Sequence, residues 1–235
     1  MSPSLSPIKV WGEAHTANPA KVALILEELD LPYEVIPVPF TDVKKPAYVA
    51  INPNGRLPSI HDPNTDLTLW ESGAIIEYLV ETYDKDHRLS FAPGTPESWH
   101  AKQWLYFQTS GQGPYFGQAG WFKLFHPEKL PSALDRYLKE IDRVTGVLEA
   151  RLAQQKEKLE QSQKEGGDCG DGPWLVGTKF SYADLAFVPW QRTVGIVFDK
   201  SEYDQDKYPL VNEWYGKIVS RSSARKVWGG AEAAK

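Results

Sequence analysis

The chain has 235 residues, of which 41% are hydrophobic and 24% charged, and its formal net charge is −5. This length allows one large or two modest domains, and the acidic balance without any basic block argues against a nucleic-acid partner. No stretch approaches the roughly 20 apolar residues of a membrane span, and residues 1–7 do not resemble a signal peptide. The single cysteine, Cys169, excludes an internal disulfide, so we expect a soluble cytoplasmic protein that has no membrane partner.

The first third of the chain alternates short extended runs with helices. Residues 8–11 are typical of a buried strand, and apolar residues at helical spacing predict a helix over 19–29. Residues 33–38 alternate well enough to form a second strand. A strand, a helix and a second strand in this order predict a right-handed parallel crossover.

A hairpin is predicted next, because extended runs at 59–61 and 67–70 flank a turn-rich segment at 62–66. Apolar residues from Ile75 to Tyr83 then predict a helix. Together these elements predict an α/β domain over residues 1–84, built on a small mixed sheet.

The remainder of the chain is predicted to be helical. Proline and glycine without apolar periodicity mark a linker over 85–96, and residues 97–235 carry helical patterns throughout. Residues 154–172 are charged and Gly-rich, which favours a solvated helix end and a mobile loop. Ser181 and Asp184 stand where a helix cap is expected, and a structural role is favoured for both.

Two short segments stand out as candidates for binding. Pro58 forbids ordinary strand pairing, which leaves the main-chain groups of Leu57 free for a peptide-like ligand. Thirteen residues after Pro58, Glu71 and Ser72 place a carboxylate and a hydroxyl where a helix exposes unpaired N–H groups. The two segments together would hold a small peptide by its backbone and by its charged terminal groups.

These segments, in this order, resemble the cytosolic glutathione transferases. Residues 52–58 are similar to the family's stretch before a cis-proline, residues 70–75 to its γ-glutamyl-binding turn, and residues 181–184 to its capping box. More narrowly, residues 104–111 and 174–177 resemble the fungal nitrogen-regulator group, which lies close to the nu class. The resemblance implies a thioredoxin-like N-terminal domain followed by an all-α domain, and a homodimer.

The resemblance also implies that glutathione is the co-substrate. Leu57, before Pro58, would pair its main chain with the cysteinyl part, Glu71 would take the γ-glutamyl ammonium, and Ser72 would take the adjoining carboxylate. Simpler roles remain open for these residues. Pro58 could only end an edge strand, Ser72 could only cap a helix, and Glu71 could only interact favourably with the helix dipole.

The chemistry of the sulfur would fall to residues 15–22. This chain has no Tyr, Ser or Cys between Gly12 and Lys21, but Thr16 and Asn18 form the Thr-x-Asn arrangement that resembles the nu class and the nitrogen regulators. The resemblance implies that the amide of Asn18 donates towards the sulfur and that the hydroxyl of Thr16 assists. Asn18 followed by Pro19 is equally typical of a plain helix N-cap.

Cations for the glycyl end of glutathione are less well defined. Arg56 stands where related classes often contact glutathione, and a position on the open surface is the alternative. Where the nitrogen-regulator pattern often has His, this chain has Val43, and the adjacent Lys44 and Lys45 are candidate substitute cations.

The expected reaction is attack of the glutathione thiolate on hydrophobic electrophiles, with disulfide or peroxide reduction as related chemistry. The alternative is a glutathione-binding regulatory protein with little transferase activity. No metal-ligand spacing is present, and the acidic neighbours of Cys169 disfavour a reactive thiol there. Aromatic side chains predicted to border the second-substrate pocket are Tyr106, Tyr115, Phe116, Trp121 and Phe122.

Overall fold

The computed structural model describes residues 5–166 and 170–229. They form two compact units, one made of residues up to Leu89 together with residues 221–229, and the other of Ser90–Ser220. The predicted α/β domain followed by a helical domain is confirmed. Within the described ranges, no helix is long and apolar enough to cross a membrane.

The first unit is built on a four-stranded mixed sheet. Its strands are β1 (Ile8–Trp11), β2 (Tyr33–Ile36), β3 (Ser59–Asp62) and β4 (Leu67–Trp70), in the spatial order β2-β1-β3-β4. Strand β1 pairs in parallel with β2 and antiparallel with β3, and β3 and β4 form the predicted hairpin. The strand order is that of the thioredoxin-like fold.

Four helices belong to this unit: α1 (Ala17–Glu28), α2 (Pro46–Val49), α3 (Ser72–Tyr83) and α9 (Ser222–Trp228). Helix α1 begins two residues before the predicted start, because the extended backbone of Thr16 (φ −100°, ψ 143°) takes the N-cap position. Pro19 then lies in the first turn, where a missing N–H costs no helical hydrogen bond.

Helix α9 packs against α1, although the two helices are far apart in the sequence. The guanidinium of Arg221 donates two hydrogen bonds to the Glu28 carboxylate, both of 2.7 Å, and Lys226 pairs with Glu27 at 2.9 Å. The Trp228 indole donates to the carbonyl of Ala14 at 3.1 Å. The last helix is therefore part of the first unit, which differs from the predicted assignment of residues 97–235 to one helical domain.

The second unit contains five α-helices within the described residues, joined in part by a single π-helical turn at Gln108–Gln112. The helices are α4 (Pro96–Phe107), α5 (Gly113–Leu124), α6 (Pro131–Lys164), α7 (Tyr182–Val197) and α8 (Pro209–Val219). Part of its core lies where α5, α6 and α7 pack around Ile141, Val144 and Val194. The predicted helices over 134–152 and 211–219 are confirmed.

Helix α6 is longer than the sequence pattern predicted. It continues to Lys164, through the first part of the segment predicted as a solvated helix end and loop at 154–172. Gln, Lys and Glu dominate this stretch, and they are good helix formers even where few apolar residues pack. Gln155 is buried there and donates to the carbonyl of Gly177 at 2.8 Å. Cys169 lies outside the described residues.

Asp184 organises the start of α7. Its carboxylate accepts hydrogen bonds from the Leu175 N–H (2.9 Å), the Trp214 indole (2.9 Å), and both the N–H (3.0 Å) and the hydroxyl (3.1 Å) of Ser181. Ser181 and Asp184 thus form the predicted capping box. Burial raises the pKa of Asp184 to about 6 and the four donors oppose that rise, so the group is mainly a carboxylate at pH 7.

Candidate functional site

The loop that enters β3 presents a free stretch of main chain. The Leu57-Pro58 peptide bond is cis, and β3 begins only at Ser59, so Leu57 lies outside the strand ladder. Within the described part of the chain, neither the N–H nor the carbonyl of Leu57 forms a hydrogen bond. Leu57 therefore keeps the pairing capacity that a peptide-like ligand needs.

Two side chains that sequence reasoning missed hold this loop in place. The Tyr48 hydroxyl donates to the Arg56 carbonyl at 2.8 Å, and the Asn52 amide donates to the same oxygen at 2.7 Å. Tyr48 also lies 2.9 Å from the Ser59 hydroxyl. Both Tyr48 and Asn52 are buried, so the carbonyl just before Leu57 is fixed from inside the unit.

Helix α3 begins with N-terminal groups that no side chain among the described residues caps. Glu71 occupies the N-cap position with φ 71° and ψ 111°, and its side chain makes no capping hydrogen bond. Ser72 is the first helical residue and not the cap, and its hydroxyl has no hydrogen-bond partner within the described residues. A positive φ at a residue other than glycine costs about 1–3 kcal/mol and is concentrated at functional sites. The start of α3 can therefore accept a carboxylate.

A chain of contacts connects Glu71 with the loop before β3. The Asn54 amide lies 3.4 Å from a Glu71 carboxylate oxygen, and the Lys44 ammonium donates to the Asn54 carbonyl at 2.7 Å. Gly55 (φ 57°) lies so close to Lys44 that a Cβ there would meet its side chain at 2.8 Å. These contacts bring Lys44, Asn54 and Glu71 to one region of the surface. Arg56 is exposed, as are Lys44 and Glu71.

The start of α1 lies beside the same loop. A Cβ built on Gly12 would stand 2.9 Å from the Pro19 ring and 3.3 Å from the Leu57 side chain, so the first turn of α1 and Leu57 converge on Gly12. Thr16 caps no N–H with its side chain; its hydroxyl donates instead to the Glu13 carbonyl at 2.8 Å. Asn18 is the second residue of α1 and is half-buried, so it is not the helix N-cap.

Gly12→Ala is expected to disturb this convergence. The substitution forces alanine into φ 118° and presses its methyl group against Pro19, so we expect about 1–3 kcal/mol of lost stability. Binding of a ligand along the main chain of Leu57 should weaken as well, because Leu57 or the start of α1 must move. Gly94→Ala is the matched control: φ is also positive there, but no atom lies within 4 Å of the new Cβ. Equal effects of the two substitutions on binding would contradict the convergence.

Lys21 is the functional candidate that sequence reasoning missed. It lies in the first half of α1 with 1% of its surface exposed, in a run where every residue from Pro19 to Leu26 is buried. Burial lowers the pKa of Lys21 to about 7, and the negative charge of Glu71 partly opposes that fall. The sequence carried a signal for this residue, since Lys21 lies within an apolar helical run that is expected to be buried. A buried lysine is unusual, because lysine is almost never fully buried without a paired charge.

The aromatic side chains predicted for the second-substrate pocket differ in their burial and contacts. Phe116 is 1% exposed and packs in the core of the helical unit, so it serves the core and differs from its predicted place. Tyr115 and Phe122 both pack against Tyr137, with ring centroids 6.4 and 5.6 Å away. Tyr106 and Trp121 are 61% and 49% exposed.

In the described residues, no group of three or more His, Cys, Asp or Glu side chains could hold a metal ion.

Comparisons with known proteins agree with this architecture. The family model described as the glutathione S-transferase N-terminal domain matches residues 17–87, and that described as the C-terminal domain matches residues 114–222. The glutathione S-transferase-like protein gedE of Aspergillus terreus is 55% identical, over 95% of each chain.

Two solved structures are also similar. The glutathione transferase URE2P6 of Phanerochaete chrysosporium, in complex with oxidized glutathione, is 40% identical over all of both chains, with a TM-score of 0.84. Ure2p in complex with glutathione is 34% identical over 97% of this chain and 95% of that one, also with a TM-score of 0.84. The chain therefore belongs to the glutathione S-transferase family, among relatives that include fungal Ure2-type proteins.

Proposed function

We propose that this protein binds glutathione in its first unit and uses it as a co-substrate, transferring it to hydrophobic electrophiles. The observation that carries the proposal is the uncapped start of α3, where Glu71 and the unpartnered hydroxyl of Ser72 lie near the free main chain of Leu57. The glutathione bound to the similar solved structures supports the same ligand.

Each part of glutathione matches a separate feature of the site. Its γ-glutamyl ammonium pairs with the Glu71 carboxylate, and the neighbouring carboxylate accepts hydrogen bonds from Ser72 and the first N–H groups of α3. Its cysteinyl part pairs with the main chain of Leu57, beside Pro58. Lys44, with its ammonium 2.7 Å from the Asn54 carbonyl, and exposed Arg56 supply cations for the glycyl carboxylate.

The sulfur of a ligand held at Leu57 would meet the start of α1. The convergence on Gly12 supports this position, because it sets the first turn of α1 beside Leu57. Unpaired N–H groups at a helix start stabilise a thiolate, and we propose that the Asn18 amide adds a direct donor. Thr16 is the weaker candidate, since its hydroxyl proton is engaged by the Glu13 carbonyl at 2.8 Å.

Asn18→Ala is expected to raise the pKa of the bound glutathione thiol by about 1 unit. One hydrogen bond to a charged group contributes about 1.5–3 kcal/mol, and a pKa unit corresponds to about 1.4 kcal/mol. Thiolate absorbance titrated against pH at saturating glutathione measures the shift. Thr16→Val is the companion variant, with a smaller expected shift, and an unchanged titration for Asn18→Ala would remove Asn18 from the mechanism.

The activity is tested with a panel of glutathione reactions. An aryl halide and an isothiocyanate report transfer, while a mixed disulfide and a hydroperoxide report the related reductions by the same thiolate. Exposed aromatic side chains such as Tyr106 and Trp121 favour apolar electrophiles.

We propose that the protein acts in the cytoplasm as a homodimer. Size-exclusion chromatography with light scattering would test the oligomeric state.

Similarity to Ure2p, whose structure is described as the nitrogen regulation fragment of a yeast prion protein, favours one alternative. In that case the protein binds glutathione but regulates another process and has little transferase activity. Binding of glutathione by calorimetry, combined with no turnover across the panel, would support the regulatory function. Turnover of an electrophile would support the transferase.

A further inference from the structure

The peptide plane between Arg56 and Leu57 is held from one side by two buried side chains. The Tyr48 hydroxyl and the Asn52 amide both donate to the Arg56 carbonyl, at 2.8 and 2.7 Å. Tyr48 is 5% exposed and Asn52 is 2% exposed. A carbonyl oxygen has two lone pairs, so both acceptor positions of this oxygen are occupied from inside the unit.

Each of the two donors is itself held in a fixed orientation. Asn52 Oδ1 accepts from the Asn54 N–H at 2.9 Å, which leaves the NH₂ group of the same amide directed at Arg56. The single hydroxyl proton of Tyr48 also goes to Arg56, so the buried Ser59 hydroxyl, 2.9 Å away, donates to the Tyr48 oxygen. Rotation of the peptide would break both hydrogen bonds and leave buried donors without an acceptor, which is costly.

The direction of the Leu57 N–H follows from this anchoring. The peptide bond between Arg56 and Leu57 is trans, since it is not among the cis bonds of the described residues. In a planar trans peptide the C=O and the N–H point in opposite directions. The Leu57 N–H therefore points away from Tyr48 and Asn52, and it forms no hydrogen bond within the described part of the chain.

We propose that Tyr48 and Asn52 are positioning residues of the glutathione site: they aim the Leu57 N–H at the cysteinyl carbonyl of glutathione before the ligand arrives. The inference rests on the proposed function, because it requires the cysteinyl part to pair with the main chain of Leu57. A donor that is fixed in advance loses little freedom on binding, and such preorganisation increases affinity. Both side chains are buried and act through Leu57.

The test is calorimetry with glutathione and with its thioamide, in which sulfur replaces the cysteinyl carbonyl oxygen. Sulfur is the weaker acceptor, so the wild type should bind glutathione about 3- to 10-fold more tightly than the thioamide. Tyr48→Phe removes one donor and should weaken glutathione binding about threefold, with little effect on the thioamide, so that the preference falls towards one. Tyr33→Phe is the matched control. It removes a tyrosine hydroxyl of the same unit that donates to Glu27 at 3.0 Å, and it should keep the affinity and the preference of the wild type.

Asn52→Asp tests the second donor. The new carboxylate keeps an acceptor for the Asn54 N–H but has no N–H for the Arg56 carbonyl, so the preference for glutathione over the thioamide should fall in the same way. A purely structural role would weaken both ligands by the same factor. Equal factors in Tyr48→Phe and Asn52→Asp would therefore overturn the inference.

A measurement on the wild type covers the case in which the variants do not fold. Hydrogen exchange of the Leu57 amide, followed by NMR, should be fast in the free protein because this N–H is unpaired, and about tenfold slower or more with saturating glutathione. Slow exchange in the free protein, or exchange that bound glutathione leaves unchanged, would contradict the inference and leave glutathione binding intact. Failure of the wild type to bind glutathione at all would overturn the proposed function as well.

Discussion

Ser72→Ala is expected to weaken glutathione binding by about 10- to 100-fold. Its hydroxyl has no partner within the described residues, and it lies at the first position of an uncapped helix. A hydrogen bond from this hydroxyl to a carboxylate contributes about 1.5–3 kcal/mol, which corresponds to that change in affinity. Titration calorimetry with glutathione measures the loss, and Ser72→Thr should recover part of it because the hydroxyl is kept.

Two controls make this result specific. Ser222→Ala removes an exposed serine from the first position of α9 in the same unit and should leave affinity unchanged. γ-Aminobutyryl-cysteinylglycine lacks the carboxylate that Ser72 would bind, so Ser72→Ala should weaken its binding little. If Ser72→Ala weakens both ligands equally, the hydroxyl does not contact that carboxylate.

Asp184→Ala is expected to lower the free energy of unfolding by at least about 3 kcal/mol. The carboxylate is fully buried and accepts from three N–H groups and one hydroxyl. Each buried donor left without an acceptor costs about 1–3 kcal/mol, and the capping box at the start of α7 is lost as well. Chemical denaturation monitored by far-UV circular dichroism, at pH 7, measures the change.

Asp184→Asn separates the two halves of this network. The remaining amide oxygen can still accept from Leu175 and Trp214, while the new NH₂ group faces the donors of Ser181, so an intermediate loss is expected. Asp135→Ala, an exposed position on α6 paired with Lys139, is the surface control. A loss for Asp184→Ala no larger than that of the control would show that the network contributes little to stability.

The sequence was sufficient to predict those structural features that depend on residues close together in the chain. The hairpin around residues 62–66, the parallel crossover and the Ser181–Asp184 capping box were all predicted, since turn residues, alternation and capping chemistry act over a few positions. The role of Asn18 was ambiguous, because an Asn followed by Pro is as typical of a plain helix N-cap as of a donor to sulfur. The resolved geometry removes that alternative, and it leaves the contact of Asn18 with sulfur as a prediction.

Other features depend on residues that are distant in the chain. The attachment of α9 requires Arg221 to meet Glu28, 193 residues earlier, and no periodicity carries that information. The place of Phe116 in the core depends on which face of α5 meets α6 and α7. Lys21 was overlooked although its pattern was visible, because its burial depends on the elements that pack against α1, among them α3 and α9.

The attachment of α9 to α1 has a consequence for the synthesis of the protein. Ribosomes synthesise a chain from its N-terminus, so the contacts of Glu27 and Glu28 with α9 can form only after residues 221–229 have emerged. All of Ser90–Ser220 has left the ribosome by then, so the helical unit can finish folding first. We therefore expect the first unit to complete its packing last, whereas N-terminal domains usually fold first during translation.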